Sequence, residues 1–287
     1  SAFFANGTHL ETIVGNLFAN NPGVTSFNRG FSDCSALTAI PSGLFDASEK
    51  NTTFFQCFLR CSTLEAIPAR LFDRCSRVTS FYSCFCACTR LKTIPAGLFD
   101  HTVSTTNFSQ CFQNCPALEH IPEKLFDLCP RVTTFSQCFS GCSGLGAIPA
   151  GLFDQNAEVT TFAQCFYHAK SITAIPEGLF DSCRKVTSFS MCFNSCSALE
   201  TIPSGLFKDT STVTDFSQCF ANCSRLTTVP AKLFANGTGV TKFSNCFSSC
   251  KALTSVAADI FQNCTGASLS FDRCFSMCSN LTEVPAH

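Results

Sequence analysis

Apolar and polar positions along the chain recur with a period of 27 residues. The pair Ile40-Pro41 returns as Ile67-Pro68, Ile94-Pro95, Ile121-Pro122, Ile148-Pro149, Ile175-Pro176, Ile202-Pro203 and Val229-Pro230. Val256-Ala257 keeps the step without the proline, and one residue inserted before Phe271 moves the last pair to Val284-Pro285. A fixed period of roughly 20 to 50 residues marks a solenoid, in which each unit buries its apolar face only against its neighbours.

Within one unit the pattern predicts three elements. Leu118-Glu119-His120-Ile121-Pro122 has apolar ends and polar outward positions, as a short strand would, and Pro122 ends it because proline cannot extend a sheet ladder. Proline then suits the first residue of a helical turn, with Leu125, Phe126 and Cys129 on one face and Val132 continuing the apolar line. Thr134, Phe135, Ser136 and Gln137 spell a capping box. Ser26, Thr53, Ser80, Asn107, Thr161, Ser188 and Asp215 repeat the capping position, and Gln56, Gln110, Gln164 and Gln218 repeat the glutamine. Phe135, Cys138, Phe139 and Cys142 follow at i, i+3, i+4 and i+7, the inward stripe of a two-turn helix. The expected fold is therefore α/β: a right-handed solenoid of about ten coils, with a parallel concave sheet and short convex helices. Residues 1–287 read as a single domain of this kind, since near-copies of one unit leave no place for a boundary.

The string Cys138-Phe139-x-x-Cys142-x-x-Leu145-x-x-Ile148-Pro149 resembles the Phe-x-x-Cys-x-x-Leu-x-x-Ile core of BspA-type leucine-rich repeats in bacterial surface proteins. The resemblance covers the whole chain. It departs from the usual form in its longer unit and in placing Cys before Phe, where Ala is common. The resemblance implies a bacterial protein, secreted or anchored at the cell surface, that binds and often adheres. It implies no particular ligand.

Composition sharpens the picture. Of the 33 Phe, 31 fall into three columns: Phe27 through Phe243 and Phe271, Phe4 through Phe247 and Phe275, and Phe18 through Phe261. Only Phe3 and Phe55 stand outside. Columns of one large ring are what a stacked core requires. Charged residues make up 14% of the chain and balance to −1, which leaves no electrostatic footprint for nucleic acid or an anionic membrane. No run of eighteen apolar residues occurs, so membrane attachment would need an anchor outside this sequence. The chain starts and ends partway through a repeat, as a trimmed piece of a longer protein would.

Of the 23 cysteines, all but Cys86 fall into two long columns, Cys57 through Cys274 and Cys34 through Cys278, and a sparser third of Cys75, Cys129, Cys183 and Cys264. Three readings compete. Disulfides between adjacent coils are conceivable at a strand spacing of about 4.8 Å. However, the count is odd, and mates in the third column lie roughly two such spacings apart, beyond the reach of about 7 Å. Zinc would need ligands shared between coils, and no His column supplies them. Free thiols filling a crowded interior fit best, because Gly30 and Ala169 stand where the pattern breaks, and small size is what they share. No metal and no cofactor is expected.

Asp46, Asp73, Asp100, Asp127, Asp154 and Asp181 form a column suited to turn stabilisation rather than calcium, since no second acidic column stands beside it. An unbroken threonine column from Thr25 to Thr241 precedes the capping position, which points to local turn bonding. The histidines His9, His101, His120, His168 and His287 occupy different repeat positions and build no catalytic set. No phosphate loop or nucleophile elbow is present, so an enzyme is not expected.

Positions that vary on a constant scaffold carry the remaining information. The expected ligand surface is the outward strand row with Glu65, Lys92, Glu119, His120 and Glu200, flanked by Arg70 and Lys124 on the rim just past the prolines. The function expected is a non-enzymatic, monomeric adhesion or binding module. Its expected partner is a protein or glycan on a host or neighbouring cell. The alternative is a passive stalk presenting another domain.

Overall fold

The computed structural model describes residues 2–283; Val284-Pro285 and His287 lie outside them. The chain winds into stacked coils that keep the 27-residue step. Two rows of parallel pairing run along the stack. One joins Thr53, Ser80, Asn107, Thr134, Thr161, Ser188, Asp215, Lys242 and Ser270 in succession. The other joins Ala66, Thr93 and His120, then Ala174 and Thr201, and widens into strands β1 (Thr228–Val229) and β2 (Ser255–Val256). The expected parallel sheet is thus reduced mostly to single-residue bridges, because each coil turns away immediately after pairing.

The core is a three-column stack of phenylalanine. Phe112, Phe139 and Phe166 lie nearly parallel at centroid spacings of 5.7 and 5.8 Å. Phe108, Phe135 and Phe162 repeat this at 5.8 Å. Phe126 and Phe153 fill the third column, tilted against the second set, with Phe126 at 4.7 Å from Phe135. Parallel rings within a column and tilted rings between columns are the two favoured aromatic geometries, each adding about 0.5–1.5 kcal/mol beyond burial. Phe55, outside the columns, stacks on Tyr82 at 5.1 Å near the surface.

The expected convex helices are absent among the described residues. Gln56, Gln110, Gln137, Gln164 and Gln218, read from sequence as the third residue of a helix, have φ between 54° and 59°. Four residues on, Arg60, Ala87, Asn114, His168, Ser195 and Asn222 have φ between 56° and 63°. A left-handed residue every four positions prevents a helix from propagating. Consequently the amides of Phe108, Gln110, Phe112 and Asn114 donate to the carbonyls of Thr134, Ser136, Cys138 and Ser140 in the next coil, at 2.6–3.2 Å. The intervening amides of Cys111 and Gln113 bond locally to the carbonyls of Phe108 and Gln110. Local turns and inter-coil bonds therefore alternate residue by residue. The same inward stripe results without a helix.

The capping box is also corrected. The Thr134 hydroxyl accepts from the Ser136 amide at 3.1 Å, a turn bond two residues on. The glutamine does not reach back; Gln137 Nε2 donates to Gln164 Oε1 at 3.1 Å in the following coil. The threonine column likewise works between coils, with the Thr133 hydroxyl donating to the Thr106 carbonyl at 3.1 Å and Thr160 to Thr133 at 3.1 Å.

All 23 cysteines are free thiols, and every one but the half-buried Cys264 is buried. Thiols of the second column bond across coils. Cys88, Cys115 and Cys142 donate their protons to the carbonyls of Phe58, Phe85 and Phe112, at 3.1–3.2 Å. Burial is the first cause that raises these thiols above their ordinary value, with Cys142 pushed up to about 12. They are protonated donors rather than nucleophiles.

Candidate functional site

The strand row is knitted by backbone bonds that fix its outward side chains in register. The Lys92 amide donates to the Glu65 carbonyl at 3.0 Å, and the Glu119 amide to the Lys92 carbonyl at 3.2 Å. Each coil thus presents its two outward residues at a set height along the stack. Lys92 Nζ lies 2.9 Å from Glu65 Oε2, while Arg90 Nη2 lies 2.8 Å from Glu65 Oε1. The Lys92 hydrogen bond, its charge and that of Arg90 hold the Glu65 carboxyl below the ordinary carboxylate value. Glu119 and His120 are exposed beside them, with His120 bridged to Thr93.

The other expected residues are more dispersed. Glu200 sits three coils beyond Glu119 and pairs with Arg225 at 2.5 Å, a cation that the sequence reading missed. Arg70 turns back on Asp73 in its own coil at 2.6 Å. Lys124 is exposed two coils further along. Both rim cations have left-handed backbones, φ 62° and 58°, matching φ 69–74° at Gly43, Gly97 and Gly151 in the same column. The rim alternation of glycine and cation thus follows a shared backbone demand. Asp73 and Asp181 take part in surface pairs, with Arg70 and Lys208. Burial raises Asp127 above its ordinary value, and the charges of Asp154 and Asp100 add to that. Among the described residues no group of three or more His, Cys, Asp or Glu is placed to hold a metal ion.

A second surface was not anticipated. Where helices were expected, the turns carry a run of amides: Gln110 Nε2 and Gln113 Nε2 both donate to Gln137 Oε1, at 2.8 and 2.9 Å. Further along, Ser195 Oγ donates to Asn194 Oδ1 at 2.7 Å, and Asn222 Nδ2 donates to the same atom at 3.3 Å. Between these clusters lie Tyr167 and His168, edge to face at 4.2 Å. The sequence signal was present in the glutamine column, but it reads equally well as capping.

No helix among the described residues is long and apolar enough to cross a membrane. Among curated proteins no match was found. Solved structures that align include the Toll–Spatzle complex from Drosophila, at 15% identity and TM-score 0.37, covering 87% of this chain and 36% of that one. The chain therefore spans little more than a third of that relative's length. A leucine-rich cell surface protein from Faecalibacterium prausnitzii aligns at 17% identity and TM-score 0.32, over 95% of this chain and 82% of that one. A leucine-rich-repeat protein from Bacteroides ovatus aligns at 18% identity and TM-score 0.26, over 81% and 76%. Likenesses of this depth add nothing to the coil geometry, which carries the fold by itself. A family model described as "Mycoplasma protein of unknown function, DUF285" matches residues 79–206 and 160–284. Together those two matches span most of the repeat array, and the chain belongs to the DUF285 family.

Proposed function

We propose that this protein is a non-catalytic binding module at the outer surface of a bacterial cell, an adhesin of BspA-like leucine-rich-repeat type. Its partner is a protein on a host or neighbouring cell. The observation that carries the reading is the strand row: an exposed ribbon, fixed in register by inter-coil bonds, whose outward residues differ from coil to coil over a constant core. Chemistry-bearing groups elsewhere serve the scaffold. Every thiol but that of Cys264 is buried, and Asp73 and Asp181 are taken up in surface pairs.

In this reading Glu65, Lys92, Glu119, His120 and Glu200 form the contact row, with Arg70 and Lys124 as its flank. The ion pairs within the row do not block it. Exposed pairs of this kind are worth about 0–1 kcal/mol, so a partner's charges can replace them at little cost. The test is binding of the full chain to a panel of purified host matrix proteins by surface plasmon resonance. A specific partner should be weakened about fivefold or more by Lys92→Glu with His120→Glu, as loss of a contact worth about 1 kcal/mol requires. The paired change Lys185→Glu, away from the row, should leave it alone. A chain that binds nothing on the panel behaves as the passive stalk. A partner indifferent to the row variants removes the strand row as the contact surface.

A further inference from the structure

The turn face changes character along the stack. Toward its amino-terminal end it is charged, with Arg60 Nη1 at 3.1 Å from Asp33 Oδ1 and Arg29 Nε bonded to Gln56 Oε1 at 2.8 Å. From Gln110 to Asn222 it becomes a surface of amides and hydroxyls. Tyr167 stands in the middle of that stretch. Its neighbours in the same column, Ser140 and Asn194, are smaller and buried. The ring therefore forms a ridge with a hollow on either side.

One hollow, of about 490 Å³, is floored by Ser140 and Gly141 and walled by the amides of Gln113, Gln137 and Gln164. The other, of about 510 Å³, lies over Asn194 and Ser195. Both share Tyr167, His168 and Lys170, and both fall within the range of about 300–1,000 Å³ usual for ligand pockets. The first depends on Gly141, whose φ is 75°, because a Cβ there would collide with Asn114 Oδ1.

The polar groups around the ridge are only partly engaged. Gln137 is the most engaged, its Oε1 accepting from Gln110 and Gln113 and its Nε2 donating to Gln164. Gln164 ends that relay: among the described residues its Nε2 has no acceptor. The Tyr167 hydroxyl, the His168 ring nitrogens and the Lys170 ammonium also have no hydrogen-bond partner among them. Burial first, and then the charge of Lys170, lower His168 below its ordinary value. The imidazole is therefore neutral near pH 7 and offers one donor and one acceptor.

We propose that this ridge and its two hollows are a carbohydrate-binding site, taking an oligosaccharide that straddles Tyr167. The site is separate from the strand row. Planar amides supply a donor and an acceptor side by side, which suits vicinal hydroxyls. The tyrosine ring gives an apolar platform for the C–H face of a sugar, with a polar tip at its edge. Nucleic acid does not fit, because one lysine cannot balance a phosphate backbone. An extended peptide does not fit either, since the hollows have neither an open strand edge nor an apolar anchor pocket. Two hollows divided by one ring imply two subsites, and hence more than one sugar.

The test uses the full chain on an array of defined oligosaccharides, uncharged and singly carboxylated, followed by calorimetry on the best binder. At least one oligosaccharide should be retained. Tyr167→Ala and Gln164→Ala should each weaken it about tenfold or more, as central contacts do. Ser143→Arg, which crowds the first hollow from its rim, should do the same without touching the ring. Thermal melts matching the parent would show that these variants remain folded. Lys92→Glu with His120→Glu should leave sugar binding unchanged, so the strand row and this site fail separately. The proposal is overturned if no oligosaccharide is retained, or if retention survives both Tyr167→Ala and Ser143→Arg in folded protein.

Discussion

Replacing Ala87 by glycine should stabilise this protein, although in a helix the same change would weaken it. Ala87 sits in the left-handed column with φ 58°, and its amide donates to the Gln113 carbonyl of the next coil at 2.7 Å. Holding an L-residue there costs about 1–2 kcal/mol, which glycine relieves. Glycine also has more freedom to lose on folding, a cost of about 0.5–1 kcal/mol. The net expectation is a gain of about 0.5 kcal/mol. Ala163 provides the control. It is half-buried on the same face, is not among the left-handed residues, and its amide donates to the Thr161 hydroxyl at 3.1 Å. Ala163→Gly should cost about 0.5–1 kcal/mol. The entropy term is common to both, so their difference of about 1–2 kcal/mol isolates the backbone term. Urea denaturation followed by circular dichroism measures it, provided that the slopes of the two variants agree. Equal losses from both substitutions would mean that this segment is helical and that the turn description is wrong.

Two further outcomes follow from the thiols. Ala169 interrupts the second cysteine column, and among the described residues the Phe139 carbonyl accepts only from the Cys142 amide, at 3.2 Å. Ala169→Cys should restore the missing donor and add about 0.5–1 kcal/mol in the same denaturation assay, whereas a loss would mean that the column tolerates nothing larger there. Burial also sets a pH dependence. Folded Cys86 and Cys75 are pushed up to about 11 and about 12 from an ordinary value of 9.0. The unfolded chain therefore ionises first. Stability should be level below pH 9.0 and fall as pH climbs from there towards 12. A urea midpoint that stays constant between about pH 7.5 and about pH 10.5 would refute the buried-thiol account.

The candidate sites were legible to different degrees. The outward positions of the strand row could be read because they face out in any arrangement that buries Leu118 and Ile121, and bridges run from Ala66 through Thr93 to His120. Its charge balance could not be read. Arg90 and Arg225 pair with Glu65 and Glu200 from two positions before the row in the next coil, and only stacking brings them there. The ridge at Tyr167 was illegible for a related reason. A tyrosine makes a ridge only if its column neighbours are small, and those neighbours, Ser140 and Asn194, stand one full repeat away on each side.

By itself the sequence determined the period, the inward columns of Phe, Cys and Leu, and the burial of the thiols. These follow from one-dimensional spacing, because each coil can satisfy its apolar face only against a copy of itself. The tertiary structure decided the backbone between the columns. A stripe at i, i+3, i+4 and i+7 fits a helix, but it fits equally a run of local turns broken by left-handed residues. The choice depends on where the alternate amides find acceptors. In Gln110 and Asn114 those acceptors are the carbonyls of Ser136 and Ser140. They belong to the neighbouring coil and exist only once the stack has formed.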